Sequence, residues 1–142
     1  LARLARRGAK VQLILPGKSD VFLSRLAAQS FYRRLLRAGV EIYEYQPQIL
    51  HAKMFLIDDI VYVGSSNLDS RSLNINYELM LRVPEPRLAA EGREIFSSIQ
   101  AHSRRVELEH WRRSRNFMDR IQGRVARWVL AHLDPYIARQ SS

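Results

Sequence analysis

Apolar and polar positions along the chain change period several times, and each change marks an element. Val11-Gln12-Leu13-Ile14-Leu15 is a short apolar run stopped by Pro16-Gly17, the pattern of a buried strand. Beyond it Leu23, Leu26, Ala27, Phe31, Leu35 and Ala38 recur at helical spacing. Asp20 is placed to cap the start of that helix, and Gly39 to end it in the left-handed conformation. Val40 to Tyr45 then reads as a second strand. Strand, helix and strand with short links predict a βαβ unit, hence a parallel pair with a right-handed crossover.

After Pro47 two β-rich runs flank Asp58-Asp59, which predicts a tight hairpin. Asn76 to Val83 reads as a further strand closed by Pro84 and Pro86, and Arg87 to His102 as a helix. The stretch from about 103 to 142 is expected to be a basic, amphipathic helical segment, clearest from Asn116 to Leu133 and stopped by Asp134-Pro135. The composite is an α/β fold, an α/β/α sandwich with a mixed central sheet. At 142 residues the chain is one domain by length. It opens on Leu1 in helix-like sequence, without Met, so it is expected to be the C-terminal half of a longer enzyme.

Composition narrows the chemistry. With no cysteine, disulfides, thiolate metal sites and a cysteine nucleophile are excluded. No apolar run approaches the ~20 residues that span a bilayer. The net charge of +9 is unevenly placed. Residues 1–40 hold nine Lys/Arg against one acid, 41–102 hold five against nine, and 103–142 hold nine against four. Basic flanks favour polyanions, a class that includes nucleic acid and anionic lipid headgroups alike.

The candidate chemistry lies in the middle segment, at His51-x-Lys53, Asp58, and Gly64-Ser65-x-Asn67. Residues two apart on a strand share a face, so His51 and Lys53 point the same way. With Asp58-Asp59 as the turn, Ile57 pairs with Ile60, Phe55 with Tyr62, Lys53 with Gly64, and His51 with Ser66. The hairpin therefore brings the Gly64–Asn67 loop beside His51 and Lys53, and Gly64 leaves room for a close backbone approach. That grouping suits a phosphodiester. An imidazole can attack phosphorus, Lys53 can neutralise non-bridging oxygens, and Ser65 and Asn67 can donate hydrogen bonds to them. Glu78, on the next strand candidate, could accept from the second ring nitrogen of His51 and fix its tautomer. Nothing in this set requires a metal or another cofactor.

His51-Ala-Lys53, Asp58 and Gly64-Ser65-Ser66-Asn67 resemble the HKD motif of the phospholipase D superfamily. The continuation Asn67 to Leu79, the upstream Gly39-Val40-Glu41-Ile42-Tyr43-Glu44-Tyr45 and the Trp/Arg-rich tail look like bacterial cardiolipin synthases. The resemblance implies that His51 is either the nucleophile that forms a phosphohistidine or the acid that protonates the leaving group. It implies phosphate-binding roles for Lys53, Ser65 and Asn67, and an orienting role for Glu78. Asp58 matches the third letter of the motif, but its place in the hairpin turn argues for a structural role. Arg71 could bind a headgroup or staple the loop. Trp111 and Trp128 could meet a lipid interface or pack helices.

The family's chemistry uses two such motifs, and this chain carries one. The expected partners are therefore an anionic phospholipid and either an N-terminal HKD half or a second copy of the chain. The expected setting is the cytoplasmic face of a bacterial membrane. The alternative is a phosphodiesterase of the same superfamily that cleaves nucleic acid as a single-motif homodimer.

Overall fold

The computed structural model describes residues 1–18, 22–67 and 77–113, together with 125 and 128. A short helix α1 (Ala2–Arg6) leads into strand β1 (Gln12–Pro16), helix α2 (Phe22–Arg37) and strand β2 (Glu41–Tyr45). The hairpin strands β3 (Met54–Ile57) and β4 (Ile60–Gly64) follow, then β5 (Met80–Val83), helix α3 (Pro86–Ala101), β6 (Ser103–Val106) and a short helix α4 (Leu108–Arg113).

β1 and β2 are parallel, paired from Gln12 with Glu41 to Pro16 with Tyr45, as the βαβ reading requires. The crossover helix ends where expected. Gly39 has φ +88°, the Val40 N–H reaches back to the Leu35 carbonyl, and the Gly39 N–H reaches the Leu36 carbonyl. That pair of bonds caps carbonyls the helix would otherwise leave open, and it needs a residue free to adopt positive φ. Asp20, the expected cap at the other end, lies outside the described residues.

The mixed sheet is present, and among the described residues the strands divide into two sheets of three. One has the order β1-β2-β6 and combines the parallel pair with the antiparallel β2–β6 pair. The other is the antiparallel β3-β4-β5. α3 packs against strands of both and so joins them. Its Gly92 sits where an added methyl would meet the Leu56 side chain at 2.9 Å and Val61 at 3.6 Å, so helix and hairpin approach closely. Ala89, one turn earlier on the same helix, is fully buried.

The tail corrects the sequence reading at its start. Residues 103–106 form a strand on β2, and the helix begins only at Leu108. Ser103-Arg104-Arg105-Val106 has one apolar residue, so periodicity gives no sign of a strand. It is held instead by pairing and charge. Arg104 binds Glu44 at 2.7 Å, and Glu44 is only 4% exposed. The Tyr32 hydroxyl and the Gln29 amide also donate to that carboxylate, at 3.4 and 3.5 Å. A buried carboxylate without such donors would be strongly unfavourable. Beyond this point only Val125 and Trp128 of the expected 116–133 helix are described, and both are helical.

The main core lies between α2 and the first sheet. Tyr32, Val40, Ile42 and Val106 are buried there, with Leu13, Leu15, Leu35, Leu36 and Trp111 packed around them. A fully buried Ile such as Ile42 contributes about 1.5–3 kcal/mol. Trp111 meets Tyr32 with ring centroids 4.9 Å apart, so of its two expected roles the structure shows packing. Trp128 is 56% exposed.

At the start of β2, Glu41 accepts from the Gln12 amide at 2.7 Å and from the Tyr43 hydroxyl at 3.0 Å. Those bonds first, then the nearby Arg105 and Lys10 charges, hold its carboxyl below the usual carboxylate range despite some burial. A carboxyl whose pKa falls on folding stabilises the fold above its unfolded value of about 4.3. That contribution is lost as pH drops through the lower folded value. Glu41→Gln is therefore expected to flatten the fall of the unfolding midpoint with pH below about 4.3, with little change at pH 7 beyond the loss of one charge. Thermal melts from pH 3 to 7 on both proteins check this, and parallel curves would remove Glu41 as a contributor.

Candidate active site

The hairpin register is the one the residue pattern predicts. Ile57 pairs with Ile60 and Phe55 with Tyr62, and the Gly64 N–H donates to the Lys53 carbonyl at 3.3 Å. The turn is held at both residues. Asp58 takes a left-handed φ of 53°, which Asp tolerates better than most residues. Arg93 of α3 donates to the Asp58 carbonyl at 3.3 Å and to the Asp59 carboxylate at 2.5 Å. Asp58 thus stands at the far end of the hairpin from His51, in the turn.

His51 and Lys53 come just before β3, at the open end of the hairpin. Lys53 Nζ lies 2.7 Å from His51 Nε2 and 3.0 Å from the His51 carbonyl oxygen. An ammonium has no lone pair, so the ring nitrogen must accept, and a neutral ring then carries its proton on Nδ1. The Nε2 lone pair thus accepts from Lys53 here, and it is freed to attack phosphorus once the ammonium turns to a phosphate oxygen.

Gly64 ends β4 where β5 crosses close by. A methyl on Gly64 would collide with the Leu79 carbonyl oxygen and stand 2.7 Å from the Met80 sulfur. The close approach is sealed by Ser65. Its N–H donates to the Leu79 carbonyl at 3.0 Å, its hydroxyl oxygen accepts from the Leu79 N–H at 3.1 Å, and its hydroxyl proton goes to Glu78 at 2.5 Å. Glu78 is thereby brought to the loop. The expected strand from Asn76 is shorter than the pattern suggests, because here the Leu79 N–H bonds to a side chain and the ladder begins only at Met80. Ser66 is buried, and its hydroxyl donates to the Asn67 carbonyl at 3.4 Å, while the Asn67 side chain is exposed. Arg71 lies outside the described residues.

The structure therefore gathers His51, Lys53, Gly64, Ser65, Asn67 and Glu78 at one end of the second sheet. The Leu79 main chain, which accepts from the Ser65 N–H and donates to the Ser65 hydroxyl oxygen, was missed by sequence reasoning because every residue has that backbone and no side-chain signal marks it. Arg93 was missed as well, although a cation one helix away from Asp58-Asp59 is a readable hint. Among the described residues no group of three His, Asp or Glu is placed to hold a metal ion. No described helix is long and apolar enough to cross a membrane.

Known proteins share this arrangement of sequence. Residues 1–100 match the family described as cardiolipin synthase, PLD-like domain. Cardiolipin synthase A of Proteus mirabilis is 32% identical over 126 residues, which is 88% of this chain and 26% of that protein. Cardiolipin synthase A of Cronobacter sakazakii is 36% identical over 122 residues, covering 85% of this chain and 25% of that protein. Cardiolipin synthase 1 of Bacillus cereus is 37% identical over 101 residues, 70% of this chain and 20% of that protein. The chain spans about a quarter of the length of such relatives. In fold it resembles the crystal structure of a phospholipase D family member, Nuc from Salmonella typhimurium, with a TM-score of 0.65 at 20% identity over 75% of this chain and 70% of that one. With the family matched from α1 to the end of α3 and its motif at the open end of the hairpin, the chain belongs to the PLD-like domain family of cardiolipin synthases.

Proposed function

We propose that this chain supplies one catalytic half of a phospholipase D-type phosphatidyltransferase that makes cardiolipin. The observation that carries the reading is the His51–Lys53 pair, with the Nε2 lone pair and the ammonium side by side at the open end of the hairpin. In the first step Nε2 attacks the phosphorus of a donor phospholipid. The bond from phosphorus to the headgroup oxygen breaks, and that oxygen takes a proton from a general acid. In the second step a hydroxyl of the acceptor lipid attacks phosphorus, gives its proton to the same group acting as base, and releases His51. Lys53 and Asn67 meet the non-bridging oxygens as charge develops on them. Glu78 is suited to stabilise the imidazolium through Nδ1, with Ser65 fixing its position. The single Ser65 proton is committed to Glu78, so its hydroxyl can turn to the phosphate only by giving up that bond.

One imidazole cannot both attack phosphorus and protonate the group leaving from the opposite side. The reading therefore needs a second motif, from further sequence of a longer chain or from a second copy. A phosphatidyl donor lies in a bilayer, so the protein would work at a membrane surface, and the bacterial cardiolipin synthases it resembles favour lipid over nucleic acid. Two measurements test these claims. The full-length protein, incubated with phosphatidylglycerol vesicles, is expected to yield cardiolipin by mass spectrometry. Residues 1–142 alone, held monomeric as judged by light scattering, are expected to yield none. Cardiolipin from a strict monomer would remove the two-motif mechanism. Hydrolysis of DNA without phosphatidyl transfer would overturn the lipid assignment.

A further inference from the structure

We infer that Lys18, just past the carboxyl end of β1, holds the acceptor lipid by that lipid's own phosphate and so favours an anionic acceptor over a neutral alcohol. The inference rests on the phosphatidyl transfer proposed above. β1 and β2 are parallel and finish together, with Pro16 beside Tyr45. In open α/β sheets ligands gather outside the carboxyl ends of such strands. The turn that follows β1 is pressed onto the end of β2. The Gly17 N–H donates to the Tyr45 carbonyl at 2.9 Å, and a methyl on Gly17 would stand 2.5 Å from that oxygen and 2.8 Å from Gln46 Nε2. Lys18 therefore comes down beside the chain that leaves β2, and its ammonium donates to the Pro47 carbonyl at 3.4 Å. From the β6 side the same segment is held by the Gln46 N–H, which donates to the His102 carbonyl at 3.3 Å.

Pro47 lies four residues before His51, a stretch that spans at most ~14 Å when fully extended. A short link thus joins the anchor of Lys18 to the motif. Transfer between lipids brings two phosphodiesters together. The one under attack meets Lys53. The other belongs to the acceptor, and a three-carbon glycerol separates it from the attacking hydroxyl, so it falls beside the motif and not in it. A cation close to the motif but outside it is what that second phosphate requires. Lys18 is exposed, and its contact with Pro47 engages one of the three N–H donors of an ammonium, so the others can meet phosphate oxygens. A neutral acceptor such as free glycerol carries no charge for Lys18 to hold.

The test uses the full-length protein on phosphatidylglycerol vesicles with deuterated glycerol present, so that two acceptors compete for the same phosphatidyl group. Mass spectrometry reads cardiolipin from the lipid acceptor and deuterated phosphatidylglycerol from the neutral one. Lys18→Ala and Lys18→Gln are expected to lower the ratio of cardiolipin to deuterated phosphatidylglycerol by about tenfold or more, as the loss of a charge-assisted contact does. Lys18→Arg keeps the charge and should recover most of that ratio. An unchanged ratio in the Ala and Gln variants overturns the assignment, whether the two products persist together or fall together. A common fall would make Lys18 a staple for the Pro47 segment or a ligand of the attacked phosphate. A parent protein that forms no cardiolipin removes the transfer reading and this inference with it, whereas a parent that forms it leaves only the role of Lys18 at stake.

Discussion

His51→Ala in the full-length protein is expected to abolish phosphatidyl transfer while leaving the fold in place. Removing a nucleophile commonly costs on the order of a thousandfold or more, because no other group takes over the bond to phosphorus. The structure gives the reason the fold should survive. His51 is exposed and precedes β3, and its ring contact is with Lys53, itself outside the core. Its removal creates no cavity and strands no buried donor. Turnover of phosphatidylglycerol to cardiolipin and the thermal midpoint, measured together, decide the matter. A folded His51→Ala protein with near-parent activity would end the catalytic reading of the motif. A protein that loses both activity and its melting transition would mean that His51 holds structure, contrary to its surface position. Lys53→Ala separates the roles further. It is expected to lower activity strongly but to leave a nucleophile in place, so a residual rate above that of His51→Ala should remain.

Much of this site was legible because strands and tight turns impose arithmetic. Once Asp58-Asp59 is taken as a two-residue turn, the pairing of Phe55 with Tyr62 and the meeting of Lys53 with Gly64 follow from register alone, and the structure has both. Gly39 was readable for a similar reason, since a left-handed helix end has few tenants. Three features were not legible, each for a physical reason. β6 has three polar residues and a single apolar one, Val106, and is held partly by a buried acid on its neighbour, so hydrophobic period carries no trace of it. The division into two sheets depends on where α3 lies across them, which is a matter of packing and not of local pattern. The partner of the Ser65 hydroxyl depends on the distance between two strand ends. Sequence placed Ser65 and Glu78 near His51, yet it could not show that they bind each other.

That distance is what makes Gly64→Ala the second large effect. The added methyl meets a backbone carbonyl, that of Leu79, which cannot rotate away as a side chain would. The start of β5 must shift, and Leu79 both accepts from the Ser65 N–H and donates to the Ser65 hydroxyl oxygen, next to Glu78, which receives the Ser65 proton. A displacement of about 1 Å at such a point is enough to cost on the order of a hundredfold in rate. The strain itself should cost about 1–3 kcal/mol, a visible fall in melting temperature. Gly92→Ala is the control. Its nearest obstacle at 2.9 Å is the end of the Leu56 side chain, which can change rotamer, and alanine is a better helix former by about 1 kcal/mol. Gly92→Ala should therefore change stability little and leave phosphatidyl transfer close to that of the parent. The comparison separates the site from the scaffold. If Gly64→Ala lowers the melting temperature yet keeps full activity, the Leu79 peptide and its bonds to Ser65 do not position the site. If both variants lose activity in proportion to stability, the close approach at Gly64 is only a matter of packing. The expected result is a loss of rate at Gly64 far beyond its loss of stability, because the same methyl that strains β5 also pulls Glu78 away from the loop that holds it.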